Sequence, residues 1–271
     1  MRIDRPEDGD SHSDAADTPM TCGTDANREG NADSSPAEPD VEPDADKRAA
    51  RDLKQRATVD AVYRAHAIDQ GHERVREIEE KTVTPAMLRI EAEDPDRHLA
   101  GLEHRLKGKE RLAEKVTFDV TKKGVTVEQA LGNVKDAIRY TLCYPEDRYT
   151  EGVYADCDRL DAEGFELVER RNSWDEEQYK GINSRWRVPG NGQLFEVQFH
   201  TQASLDAKEE THWAYEKLRV GIPTPTEQKE LEEYQKRITS GVPIPPGALD
   251  IPDYPVGAPD ADEDHLLRNR R

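Results

Sequence analysis

The chain has 271 residues, 34% of them hydrophobic and 36% charged, with a formal net charge of −19; against a globular norm of about 45–50% apolar residues, that polarity excludes a chain packed throughout its length. No run of 18 apolar residues occurs, which excludes a membrane-spanning helix, and the acidic opening MRIDRPEDGD lacks the apolar stretch of a secretory signal. Three cysteines, Cys22, Cys143 and Cys157, lie at no metal-ligand spacing, so a reduced, cytoplasmic protein is expected.

Residues 1–47 are mostly Asp, Glu, Ser, Ala, Pro and Gly, and cannot bury enough apolar surface to offset the entropy of ordering. They are expected to be a disordered acidic tail carrying over half of the net charge. Such a tail is either solubilising or a mobile polyanion that competes for a basic site. Residues 48–240 are expected to fold. From about Ala49 to Glu114 the apolar residues recur at three- and four-residue steps, as in VDAVYRAHAI and RVREIEE, which predicts helices. Thr84 and Pro85 suit an N-cap and first turn. A further helix is expected to carry Leu99, Leu102, Leu106 and Leu112, then a turn-containing connector, TFDVTKKGVTV, and a short helix over VEQALGNV.

The period then changes. AIRYTLCY (137–144) is β-branched and aromatic and predicts a strand. YTEGVYADCDRLDAEG predicts a helix closed by Gly164. FELVERRNSW, GINSRWRV and LFEVQFHT alternate, the last two joined by a PGNGQ hairpin, and SLDAKEETHWAYEKLR returns to helix. That order implies an α/β (α+β) domain: a mixed sheet of about four or five strands flanked by helices, with at least one crossover. Residues 241–271, Pro-rich and ending in LLRNRR, form a tail that lies extended against the domain or stays loose.

In LFEVQFHT the apolar Phe195, Val197 and Phe199 alternate with Glu196, Gln198 and His200, the pattern of a half-buried strand. The polar three share one face at steps of about 6.6 Å. A carboxylate there can hold Mg²⁺ or accept a proton, and the amide and imidazole can bind hydroxyls or phosphate. A solvated sheet face is the plain alternative. Upstream, HRLKGKERLAEK gathers Arg105, Lys107, Lys109, Arg111 and Lys115, a cluster suited to a polyphosphate or a solvated basic helix face. Tyr179 can stack on a base or simply pack, and at Lys180–Gly181 backbone can approach a ligand closely.

Together HRLK…EK (104–115), DAIRYT (136–141), YKGINS (179–184), EVQFHT (196–201) and THWAYEK (211–217) resemble, in order and spacing, the synthetase domain of the RelA/SpoT-type alarmone synthetases. The resemblance covers roughly Ala86 to Arg219. It implies a nucleotidyltransferase-like fold that moves the β,γ-pyrophosphate of ATP to the 3′-hydroxyl of GDP or GTP with Mg²⁺. It further implies that Arg105, Lys107 and Lys115 grip ATP, with Arg139 on the strand beside them. Tyr179 would stack on the acceptor base next to Lys180 and Asn183. Glu196 would bind Mg²⁺ or take the hydroxyl proton, supported by Gln198 and flanked by His200, and His212 would brace the site.

The chain departs from that pattern at named places. The family's metal-binding Asp falls on Val134, which leaves Asp136, two residues along and expected on the same strand face, as the substitute. A family lysine falls on Asp175, and a histidine on Asn183. No His-Asp dipeptide occurs, so no companion hydrolase is expected and a small, synthetase-only form is implied, with a toxin-like role as one option. Acceptors to consider are guanine and adenine nucleotides and an RNA 3′ end; partners beyond these are a regulatory protein or a second copy. The alternatives are a nucleotide-binding regulatory module of the same fold that has lost catalysis, and a structural or interaction protein.

Overall fold

We describe residues 43–255 in a computed structural model of the chain. The chain divides into two units, Met1–Ala49 and Ala50–Arg271. Of the first, the described part is only the beginning of helix α1 (Pro43–Ile78). Most of the expected acidic tail therefore lies outside the described residues, but its last stretch is helical from Pro43. Proline at the start and Asp46 in the first turn suit a helix N-terminus.

α1 passes through a π-turn, Glu79–Val83, directly into α2 (Thr84–Ala92). Thr84 is thus not the expected N-cap; its hydroxyl bonds the buried Glu79 carboxylate instead. The helix expected across Leu99–Leu112 does not form as one piece. Leu99 lies in a short strand, β1 (His98–Ala100), Leu102 in a 3-10 turn, Leu106 in a bridge to Ile138, and only Leu112 in a helix, α3 (Lys109–Lys123). Gly101 in the left-handed region (φ 62°) interrupts what the leucine spacing suggested. Most of the expected connector, Thr117–Lys123, is the end of α3, which stops at Gly124. Thr126 and Gln129 then form a capping box for α4 (Val127–Gly132).

The remaining elements fall where expected: β2 (Arg139–Tyr144), α5 (Tyr149–Ala162), β3 (Glu166–Asn172), β4 (Ile182–Arg187), β5 (Leu194–Thr201) and α6 (Gln202–Val220). A last helix, α7 (Pro225–Thr239), packs on α6. The fold is a mixed α/β sheet of five strands in the order β1-β2-β5-β4-β3. β2 and β5 run parallel and every other pair is antiparallel. One sheet face is the core: Tyr140, Leu142, Phe195, Val197, Phe199, Ile182 and Trp186 are all buried. The PGNGQ hairpin closes with Val188 N–H donating to the Gln193 carbonyl at 2.9 Å.

Residues 241–255 take the extended, docked alternative. Val242, Ala248 and Ile251 are buried, and Tyr254 exchanges two 2.8 Å backbone hydrogen bonds with Arg170 on the β3 edge. The Asn172 amide donates to the Ala248 and Ile251 carbonyls, both at 2.8 Å. This strap covers part of an edge strand that would otherwise offer unpaired backbone groups. Residues 256–271 lie outside the described part.

Candidate active site

Residues paired in register across neighbouring strands share a sheet face. On the face away from the core, one row reads Arg139, Glu196, Arg185 and Glu169 across β2, β5, β4 and β3. The next row reads Thr141, Gln198, Asn183 and Arg171, and a third pairs Cys143 with His200. The first row alternates in charge, with Arg139 Nε 3.4 Å from Glu196 Oε2 and Arg185 bonded to the Glu169 carboxylate.

The half-buried strand expected at LFEVQFHT keeps its two-residue period but not its exposed face. Glu196, Gln198 and His200 are only 9%, 5% and 0% exposed. The chain reverses at the Thr201 N-cap, and α6 folds back over β5. A four-residue helical step of about 6 Å matches a two-residue strand step of about 6.6 Å. Ser204 therefore meets His200 at 2.8 Å, and Lys208 Nζ meets Gln198 Oε1 at 2.5 Å. The cover stops there: Asn183, Arg185 and Arg187 on β4 and Glu169 and Arg171 on β3 remain half-buried. The result is a polar floor, roofed on one side and open on the other.

Residues 105–107 flank the start of β2. Leu106 bridges Ile138, Lys107 N–H donates to the Ala137 carbonyl at 2.9 Å, and Arg139 N–H donates to the Arg105 carbonyl at 2.7 Å. Lys107 is thereby brought to Asp136, 2.8 Å away; Lys115 reaches the same carboxylate from α3 at 3.1 Å, and Arg139 at 3.2 Å. Asp136 is not on the strand, as expected, but in the turn before it. Its carboxylate nonetheless shares a face with Glu196, because both meet the guanidinium of Arg139. Val134 is buried in the core and offers no carboxylate.

The electrostatics follow from this crowding. Burial alone would raise the Asp136 carboxyl, but Lys115, Lys107 and Arg139 outweigh it and hold it well below the usual carboxylate range. For Arg139, burial works against the charge while Glu196 and Asp136 more than restore it. Burial, with Arg139 nearby, pushes the Lys208 ammonium down to about 8. Arg139 Nε is buried without a geometrically good hydrogen bond, despite its approach to Glu196.

Several expected nucleotide contacts have structural partners instead. Arg105 turns away from Lys107: its Nε donates to the buried Glu79 at 2.7 Å and its Nη1 to the Leu102 carbonyl at 2.9 Å. Tyr140 also donates to Glu79, at 3.1 Å, which makes this carboxylate a joint between α1, α2 and the sheet. Lys180 donates to the Trp174 and Glu176 carbonyls at 2.8 and 2.6 Å and staples its loop, so its ammonium is not presented to a nucleotide. His200 is fully buried, with Nδ1 on Ser204 and Nε2 on the Tyr179 hydroxyl at 2.9 Å. Burial and Lys208 drive its pKa well below the ordinary value, so it is neutral. With both nitrogens engaged it positions Tyr179 and has none left for phosphate. His212, one turn past Lys208, is exposed.

Tyr179 is half-buried, and its hydroxyl donates to Asn183 Oδ1 at 2.9 Å while meeting His200. The ring stands edge-on to the imidazole, with centroids 5.5 Å apart. Gly181 serves this arrangement rather than a ligand: at φ 150° it lies so close to His200 that an added Cβ would meet Cε1 at 2.7 Å.

Lys208, Arg185, Glu169 and Arg171 were missed in the sequence. A signal existed for Lys208, seven residues after the Thr201 cap and one helical turn after Ser204. For the β3–β4 residues the register of the sheet was needed.

Four cations (Lys107, Lys115, Arg139, Lys208) and two carboxylates (Asp136, Glu196) leave this site with a surplus of two positive charges. Among the described residues, no three His, Cys, Asp or Glu gather into a metal cage. Mg²⁺ often binds through one or two carboxylates plus substrate phosphates. The carboxylates present fit a metal carried in with a polyphosphate.

No family model matches the chain, and no curated protein matches it. Among solved structures it is similar to small alarmone synthetase 2 from Bacillus subtilis, at 14% identity and a TM-score of 0.45 over 64% of this chain and 90% of that one. It is similar to small alarmone synthetase 1 from Bacillus subtilis bound to its product pppGpp, at 16% identity and 0.40 over 61% and 88%. A GTP pyrophosphokinase family protein from Streptococcus pneumoniae matches at 17% identity and 0.39 over 69% and 88%. At such identities and TM-scores these likenesses carry no residue's role over to this chain.

Proposed function

We propose that this chain transfers the β,γ-pyrophosphate of ATP to the 3′-hydroxyl of a nucleotide. One observation carries the proposal: Asp136 and Glu196 converge on Arg139, ringed by Lys107, Lys115 and Lys208, in the motifs whose order resembles the RelA/SpoT-type synthetases. In the transfer, the 3′-oxygen bonds to the β-phosphorus, the bond from that phosphorus to the α,β-bridging oxygen breaks, and AMP leaves. The hydroxyl proton goes to Glu196. Such transfer needs positioning and charge neutralisation more than covalent chemistry. Lys107, Lys115 and Arg139 would hold the phosphates. Asp136 would hold Mg²⁺ together with those phosphates, leaving Glu196 as the base, and the metal would neutralise charge there. Tyr179, fixed through its hydroxyl, would present its ring to the acceptor base, above Asn183.

The acceptor class is a guanine or adenine nucleotide, or an RNA 3′ end. Incubation with γ-labelled ATP, Mg²⁺ and separate GDP, GTP, AMP, ADP and tRNA should label one of them and release AMP in equal amount. Release of ADP would indicate simple phosphoryl transfer, and no labelled acceptor would oppose the proposal. A second reading, a nucleotide-binding regulatory module, is favoured by Val134, an apolar core residue where the family pattern has its metal-binding Asp. It expects ATP binding without AMP release.

A further inference from the structure

The amide of Gln198 sits between two charged groups, and its orientation decides what Glu196 meets. An ammonium can only donate. Lys208 Nζ lies 2.5 Å from Gln198 and therefore requires the amide oxygen to face it. Gln198 Nε2 must then turn the other way, and it donates to Glu196 Oε1 at 2.7 Å. Thr141 Oγ1 approaches the same amide oxygen at 3.5 Å from β2. Glu196 is thus held at Oε1 by a relay that begins on α6, while Oε2 faces the Arg139 guanidinium at 3.4 Å.

We propose that Lys208 is a positioning residue for the transfer: through Gln198 it sets the orientation of the Glu196 carboxylate that receives the acceptor's proton. This rests on the transfer function proposed above. Lys208 is apt for the role because it is half-buried on a helix that packs on β5 and β2. Its hydrogen-bond partner is Gln198, and the charges that act on it are Arg139 from β2, Glu196 from β5 and Glu209 on its own helix. His200 lies close enough to feel its charge. Burial and Arg139 bring its proton loss down to about 8. The charged form is complete below that pH and is lost as the pH rises through it, so the relay weakens on the alkaline side.

Two measurements test this, one of them independent of turnover. In the protein without nucleotide, the Gln198 side-chain amide NMR signal should shift with a midpoint of about pH 8, and Lys208→Met should abolish that shift. A midpoint near the ordinary lysine value, or a shift that survives in Lys208→Met, overturns the proposal. In transfer assays, Lys208→Met should lower kcat about 10- to 100-fold with KM for ATP changed less than about threefold, as for other groups that orient a reacting carboxylate. Lys208→Arg should recover part of kcat and lose the fall in rate above about pH 8. Native kcat in Lys208→Met, or an unchanged alkaline fall in Lys208→Arg, overturns it. If Lys208→Met does not fold, the titration of the native protein and of Lys208→Arg still decides. If the native protein transfers nothing, the transfer function fails on its own assay, and the amide titration continues to judge the relay.

Discussion

Replacing Gly181 by alanine should damage the protein twice over, and the two contributions can be separated. Gly181 adopts φ 150°, outside the range that side-chain-bearing residues favour, which costs about 1–3 kcal/mol. The new Cβ would also meet His200 Cε1 at 2.7 Å, its Nδ1 at 3.0 Å and the Phe199 carbonyl oxygen at 3.2 Å. His200 has nowhere to go: it is fully buried and tied at both nitrogens, to Ser204 and to Tyr179. Overpacking of that kind costs a further 1–3 kcal/mol or so. The sum is about 2–6 kcal/mol. Gly190 in the hairpin is the control, with φ 83° and nothing within 4 Å of an added Cβ, so Gly190→Ala should show only the backbone contribution. Urea unfolding followed by far-ultraviolet circular dichroism on the native protein and both variants reads the difference. If Gly181→Ala loses no more than Gly190→Ala, the packing of His200 against this loop is wrong, and with it the anchoring of Tyr179.

Three further outcomes follow from other parts of the molecule. Asp156, fully buried, pairs with Arg97 at 2.7 Å and Arg159 at 2.7 Å and accepts from Tyr144 at 2.6 Å. Asp156→Ala should therefore destabilise by about 3–5 kcal/mol in urea titrations, while Arg97→Met combined with Asp156→Leu recovers much of it; a loss below about 1 kcal/mol for the single change would contradict the pairing. Burial drives the His200 pKa well down, so its ring should remain neutral in NMR at about pH 6.5, where an exposed histidine is half protonated. A protonated ring there would be at odds with the structure. Burial also pushes the Cys143 thiol up to about 11 and raises that of Cys157. Peptide mapping after brief alkylation at about pH 8 should find both largely unmodified in the native protein and modified once it is unfolded; equal labelling in the two states would count against the packing.

The strand and helix pattern from Arg139 to Val220 was legible because each segment carried a clear period and a cap or turn. The alternation in LFEVQFHT gave β5 correctly and misled on exposure, since the cover over its polar side comes from α6, a tertiary contact with no local trace. Leucines at helical intervals between Leu99 and Leu112 suggested a helix that Gly101 breaks into a strand, a turn and a bridge. The basic cluster was recognisable as a cluster, yet Arg105 and Lys107 part company. A buried Glu79, some 26 residues upstream, takes the first and Asp136 the second. Lys180 and His200 looked like ligand contacts by residue type; burial and hydrogen bonding made them supports of the Tyr179 loop. Asp136 and Glu196 were paired from the resemblance alone, and their meeting at Arg139 depended on the parallel register of β2 and β5.

Transfer measured in Asp136→Asn and Glu196→Gln, beside ATP binding in the same preparations, tests the proposed chemistry most directly. Both changes keep size and remove charge. With labelled ATP and the accepted nucleotide, each should lower kcat by about 100-fold or more while ATP still binds, since the phosphate-holding Lys107, Lys115 and Arg139 remain. Turnover within about threefold of native in either variant would mean that these carboxylates do not serve the reaction.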